Sequence, residues 1–155
     1  MQRTKSLIHN SNNIHTCIKP LVYTIECNVD ASSFNNNSIF GIVCVLETPT
    51  RFFLLDKSDY FHFFASILEA ETMDLLEAFK VSILNGMHVV LFETNRKSLS
   101  NSLANTHTPL NKFDDLVSQC RYILLSRANF VMSYFLRLSH HSLIFFMMYQ
   151  LLYII

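Results

Sequence analysis

Glycine and proline are nearly missing from this chain. Two Gly and three Pro in 155 residues leave little room for long irregular segments, because turns and loops draw on these residues. Charge is also scarce. Charged residues make up 15% of the sequence, against ~25% in an ordinary soluble domain. Net charge is zero, and no dense Lys/Arg run occurs. Proteins that hold nucleic acid by broad phosphate neutralisation carry a basic patch. That general mode is excluded here, so any nucleic-acid contact needs a local site or a metal ion. The cysteines, Cys17, Cys27, Cys44 and Cys120, contain no Cys-x-x-Cys pair, which argues against a zinc site. They read as reduced thiols of an intracellular protein, with Cys27 and Cys44 in strand cores. The basic start, Met1 to Leu7, lacks the apolar stretch of a secretory signal.

What the chain has in quantity is apolar surface. Half of its residues are hydrophobic and 14 are Phe. Its length predicts one domain with a sizeable core. Residues 1–19 read as a disordered leader that ends at Pro20. Strands are expected over 22–31, 39–46 and 51–55, with turn chemistry at 32–38 and 48–50. Their short connections predict an antiparallel meander.

The clearest helix spans 66–84. Ser66 and Glu69 make a capping-box pattern, and Leu68, Thr72, Leu75, Leu76, Phe79 and Ile83 share one stripe. Asn85-Gly86 supplies its stop. A short apolar strand follows at 89–92, then helices over 97–103 and 112–124, and a last strand over 129–135. A helix between apolar strands requires a crossover. The expected class is therefore α/β, a mixed sheet with helices on its faces.

Polar residues stand out at three places on this scaffold. Asp30 leaves the first strand, Glu69 and Glu71 open the long helix, and Glu93 and Asn95 end a later strand. Phosphodiester hydrolysis with two divalent ions needs oxygen ligands that converge in this way. Each residue also has a plain structural reading. Asp30 suits a turn cap, Glu69 and Glu71 suit a helix N-terminus, and Asn95 suits a turn. Glu69 and Glu71 lie ~200° apart around the helix, so only one of them can face a given site.

Several segments resemble the plant ribonuclease H-like domain, a type-1 RNase H related to non-LTR retroelement reverse transcriptases. They are Cys-Asn-Val-Asp-Ala at 27–31, Leu-Glu-Ala-Glu at 68–71, Leu-Leu-Glu-Ala-Phe-Lys at 75–80, Val-Val-Leu-Phe-Glu-Thr-Asn-Arg-Lys-Ser-Leu at 89–99 and Phe-Asp-Asp-Leu-Val-Ser-Gln-Cys-Arg at 113–121. The resemblance implies a five-stranded mixed sheet flanked by helices. It also implies Mg²⁺- or Mn²⁺-dependent cleavage of the RNA strand in an RNA–DNA hybrid; the chain itself is expected to be a monomer. On this resemblance Asp30 is the first catalytic and metal-binding acid and Glu71 is the second.

The chain departs from the family at the third acid. Where the family has Glu-Thr-Asp-Ser, this sequence has Glu93-Thr94-Asn95-Arg96. Asn95 therefore stands at the third metal position. Arg96 reads as a solvated charge at a helix start, with phosphate contact or metal repulsion as the alternatives. The family pattern is lost beyond Arg137, which leaves Ile144 at the fourth acid or His position. Impaired hydrolysis follows as the expectation. The alternatives are a silent nucleic-acid-binding module, or a retroelement remnant without function.

The resemblance bounds the domain at 20–137 and leaves 138–155 as a divergent apolar helix or tail. Residues 143–155 are apolar apart from Gln150. As a helix they would span ~20 Å, short of a ~30 Å bilayer core. A buried helix or a sticky tail is expected there rather than a membrane span. His140 and His141 are adjacent and have no third ligand nearby, so they predict no metal site.

Overall fold

A computed structural model describes residues 24–34, 39–62, 66–105 and 111–134. In chain order the elements are β1 (Ile25–Phe34), β2 (Ile39–Glu47), β3 (Phe53–Phe61), α1 (Ile67–Leu84), β4 (Val90–Thr94), α2 (Lys97–Ala104), α3 (Lys112–Ser126) and β5 (Phe130–Tyr134). The five strands form one sheet in the order β3-β2-β1-β4-β5. β1 pairs antiparallel with β2, and β2 with β3. β4 runs parallel to both β1 and β5. This is the expected α/β architecture, a five-stranded mixed sheet accompanied by helices.

The meander is longer than its turn residues predict. β1 continues through Ser32 and Ser33, which pair with Gly41 and Phe40. β3 runs to Phe61 rather than stopping near 55, and carries Asp56, Lys57 and Asp59. It is an edge strand held by its ladder to β2, so its solvent side accepts charge. Strand propensity is weak there, and the fully buried β2 decides the pairing.

α1 forms where its signals place it. The Ser66 hydroxyl accepts from the Glu69 N–H at 3.1 Å, and Glu69 Oε2 accepts from the Ser66 N–H at 2.9 Å. Both arms of the capping box are therefore made. At the other end Gly86 adopts φ 67°, a left-handed conformation that glycine reaches without a Cβ clash. The Leu75, Leu76 and Phe79 side chains pack on Cys27, Val29, Cys44 and Phe92 of the sheet. Phe79, Phe92 and Phe130 lock the centre, with ring centroids 4.5 Å (79–92), 5.1 Å (92–130) and 6.1 Å (79–130) apart. Such aromatic pairs contribute ~0.5–1.5 kcal/mol each beyond burial.

Cys27, Cys44 and Cys120 are free thiols in the core. The leader, Cys17, the 138–155 tail, Ile144 and the His140-His141 pair lie outside the described residues. Among the described residues, no helix is long and apolar enough to cross a membrane.

Candidate acidic site at the ends of β1 and β4

The parallel register of β1 and β4 sets the geometry. Val29 stands opposite Thr94, so Asp30 and Asn95 emerge side by side beyond that pair. α1 is the crossover element between the antiparallel meander and β4, and it brings Glu71 to the same place. Asp30 and Glu71 are 3% and 2% exposed. Burial this complete is unusual for a carboxylate without a compensating partner.

The residues that follow β4 meet both acids. Asn95 Nδ2 donates to Asp30 Oδ1 over 3.4 Å, a long contact. Arg96 Nε lies 2.7 Å from Glu71 Oε2. By distance this is an ion pair, although its angle does not make an aligned hydrogen bond. The Arg96 side chain is 34% exposed, and its Nε is buried. The expectation that Arg96 is a solvated charge is therefore corrected. A buried carboxylate holds it, because the cost of desolvating Glu71 falls when a cation sits against it.

Local structure aims Arg96 at this partner. The Thr94 hydroxyl accepts from the Arg96 N–H at 3.1 Å, which tightens the turn out of β4. Arg96 then occupies the N-cap of α2 and makes no side-chain cap bond. The Ser found there in the resembling family is a favoured cap, worth about 1 kcal/mol over a non-capping residue. A cation also sits poorly at the positive end of a helix. Arg96 costs α2 on both counts, and its pairing with Glu71 is the compensating contact.

Asp74 belongs to the same neighbourhood and was missed in the sequence. It is fully buried, and its Oδ2 accepts from the Asp30 N–H at 2.9 Å. Burial pushes its carboxyl well above the usual carboxylate range, and the neighbouring Cys44 and Asp30 side chains push the same way. Backbone N–H groups of Asp30 and Val43 oppose them without prevailing. The available signal was helical spacing. Asp74 follows Glu71 by three positions and so shares its face, but its place beside the apolar stripe hid it.

The other acids go elsewhere. Glu69 caps α1, as its structural reading predicts. Glu93 points its electrostatics toward a different group. Burial raises its pKa to about 7; Glu26 and Glu47 add to the rise and Arg51 opposes it.

The set can be weighed against the paired divalent ions that the resemblance implies. Two carboxylates converge, from Asp30 and Glu71. The third position offers a neutral amide, whose Nδ2 lies 3.4 Å from Asp30 Oδ1. An amide can offer a metal one neutral oxygen, but it brings none of the negative charge that a carboxylate supplies. A guanidinium already stands against Glu71. Among the described residues, no group of three or more His, Cys, Asp or Glu is placed to hold a metal ion. These donors do not fit a two-metal centre.

Comparison with known proteins follows the same architecture. Residues 28–140 match the family model described as reverse transcriptase-like. RNase H1 from the halophilic archaeon Halobacterium salinarum NRC-1 superposes with a TM-score of 0.64 at 14% identity, covering 74% of this chain and 86% of that one. LC11-RNase H1 in complex with an RNA/DNA hybrid gives 0.62 at 17% identity, over 73% and 86% of the two chains. A foamy viral protease-reverse transcriptase in complex with dsDNA gives 0.61 at 15% identity, over 83% and 89%. No curated protein sequence matches. The structural likeness identifies the fold as RNase H-like.

Proposed function

The chain belongs to the reverse transcriptase-like family, and we propose that it is a nucleic-acid-binding domain of the RNA–DNA hybrid ribonuclease type with severely impaired hydrolysis. One observation carries the reading: the consecutive residues Asn95 and Arg96 engage the two buried acids, Asp30 and Glu71. On the resemblance, Asp30 and Glu71 hold the family's acid positions and Asn95 stands at that of the third carboxylate. The hybrid held by LC11-RNase H1 and the duplex held by the foamy viral enzyme support nucleic acid as the ligand class. The motifs at 27–31 and 89–99 support a plant retroelement origin for the domain, which we place at 20–137.

The impairment follows from charge. Hydrolysis of a phosphodiester builds negative charge on oxygens that the site must stabilise. Removing one such stabiliser commonly costs ~3–4 kcal/mol, or two to three decades in rate. Asn95 removes a full negative charge that would hold a metal ion. Arg96 places a positive charge against Glu71, where it would repel such an ion. The two losses act on one unit, so they need not add.

The test uses a labelled RNA–DNA hybrid and the full chain, with binding followed by anisotropy and cleavage followed on a gel. The reading expects salt-sensitive binding and almost no cleavage with Mg²⁺ or Mn²⁺. Rapid turnover that disappears in Asp30→Asn would establish a working nuclease instead. Absence of both binding and cleavage would favour a remnant without biochemical function.

A further inference from the structure

We infer that Arg96 is the resident cation of the acidic site, holding Glu71 in place of a divalent ion and freeing the domain from dependence on Mg²⁺. The inference rests on the reading above and deepens it. Its foundation is the placement of one side chain. Glu71 is buried, and the group 2.7 Å from its Oε2 is the guanidinium nitrogen Nε of Arg96. A carboxylate so deep in the protein needs a cation or a proton. A guanidinium stays charged at every pH at which the protein folds, and it is tethered to the chain. It is therefore present at unit stoichiometry, whereas a free ion must bind from solution.

Three further features agree. The Thr94 hydroxyl fixes the Arg96 backbone at 3.1 Å. α2 begins without a side-chain cap because Arg96 occupies the N-cap, so the cation is kept at a cost to the helix. Asn95 presents an N–H to Asp30, so the other acid also meets a donor where the family expects a metal ligand. A guanidinium neutralises Glu71 but is no Lewis acid. It can still pair with a phosphate oxygen through its other N–H groups. The site thus keeps the means to hold a nucleic-acid phosphate and loses the means to activate water.

Thermal melting of the full chain in EDTA and in millimolar Mg²⁺ tests this. The wild-type midpoint is expected to be the same in both buffers. Arg96→Ser is expected to melt lower in EDTA, by roughly 5 °C, because a buried charge loses its partner. Mg²⁺ should then recover at least half of that loss. Arg96→Lys keeps a cation and should stay insensitive to Mg²⁺. Should Arg96→Ser fail to fold, Asn95→Asp decides, because it keeps Arg96 and should also show no Mg²⁺ shift. A wild-type or Asn95→Asp midpoint that rises with Mg²⁺ would overturn the assignment, and so would an Arg96→Ser protein that folds and ignores the ion. Hybrid binding by the wild type should persist in EDTA without Mg²⁺. A chain that binds no hybrid in any buffer defeats the proposed function; the melting readout judges the cation separately.

Discussion

The two halves of α1 both bury residues, but of different chemistry. The first half places Glu71, Thr72 and Asp74 out of solvent beside Ala70 and Leu75; the second places Leu76, Ala78 and Phe79 there, with Ser82 as its buried polar residue. The second half lowers the free energy of the fold directly, by removing apolar surface from water. The first half raises it, because each buried carboxyl must be desolvated and then matched by donors. Polar burial of this kind persists where something besides stability uses it. The contrast falls at the N-terminal half of α1 and the ends of β1 and β4, the region on which the proposed function rests.

The contrast can be broken at its apolar side first. Phe79→Ala removes a ring that touches Phe92 and Phe130 and should destabilise the chain by ~3–5 kcal/mol. Urea unfolding reads the loss. A change below about 1 kcal/mol would mean that the aromatic cluster is not the centre of the core. Glu71→Gln is the counterpart on the polar side. It removes the charge facing Arg96, and should cost less, about 1–3 kcal/mol, because Arg96 is partly exposed and the amide can still accept a bond. Equal losses at both positions would erase the distinction between the halves.

Acidity sharpens the comparison further. The folded-state pKa of Asp74 lies above its ordinary value, so the folded chain keeps that proton to higher pH than the unfolded chain does. Between the two values the unfolded state binds fewer protons, and stability falls as pH rises. Glu93 adds to the fall in the same direction, from its ordinary value of 4.5 up to about 7. The urea midpoint should therefore decline as pH rises from about 4.5 to about 7. Asp74→Asn should flatten part of the decline, and Glu93→Gln another part. A midpoint that climbs with pH in the wild type would contradict both assignments. The smallest effect is expected at the cap. Ser66→Ala removes one arm of the capping box and should cost about 1 kcal/mol, with little change in the pH slope.

The legible part of the molecule is the part governed by apolar patterning. The stripe from Leu68 to Ile83 predicts the buried face of α1, and the Ser66–Glu69 pair predicts its start. The short apolar run before Glu93 predicts β4, and the crossover predicts the parallel pairing that sets Asp30 beside Asn95. Edge structure was less legible. Asp56, Lys57 and Asp59 hide β3, because strand pairing is decided by the partner and not by the residues of the strand itself. At the site, residue types were readable and pairings were not. Asn95 announces a missing charge. Nothing in the spacing of Arg96 says that it turns inward to Glu71, because a long side chain at a helix start usually finds solvent. Asp74 was hidden for the reverse reason, since an acid beside an apolar stripe reads as surface.

Single-turnover cleavage of a labelled RNA–DNA hybrid in Mg²⁺, comparing the wild type with the double variant Asn95→Asp/Arg96→Ser, tests the central claim most directly. The double variant restores the third carboxylate and removes the tethered cation. The account predicts that it cleaves at least about a hundredfold faster than the wild type. A wild-type chain that cleaves as fast as the double variant would contradict it.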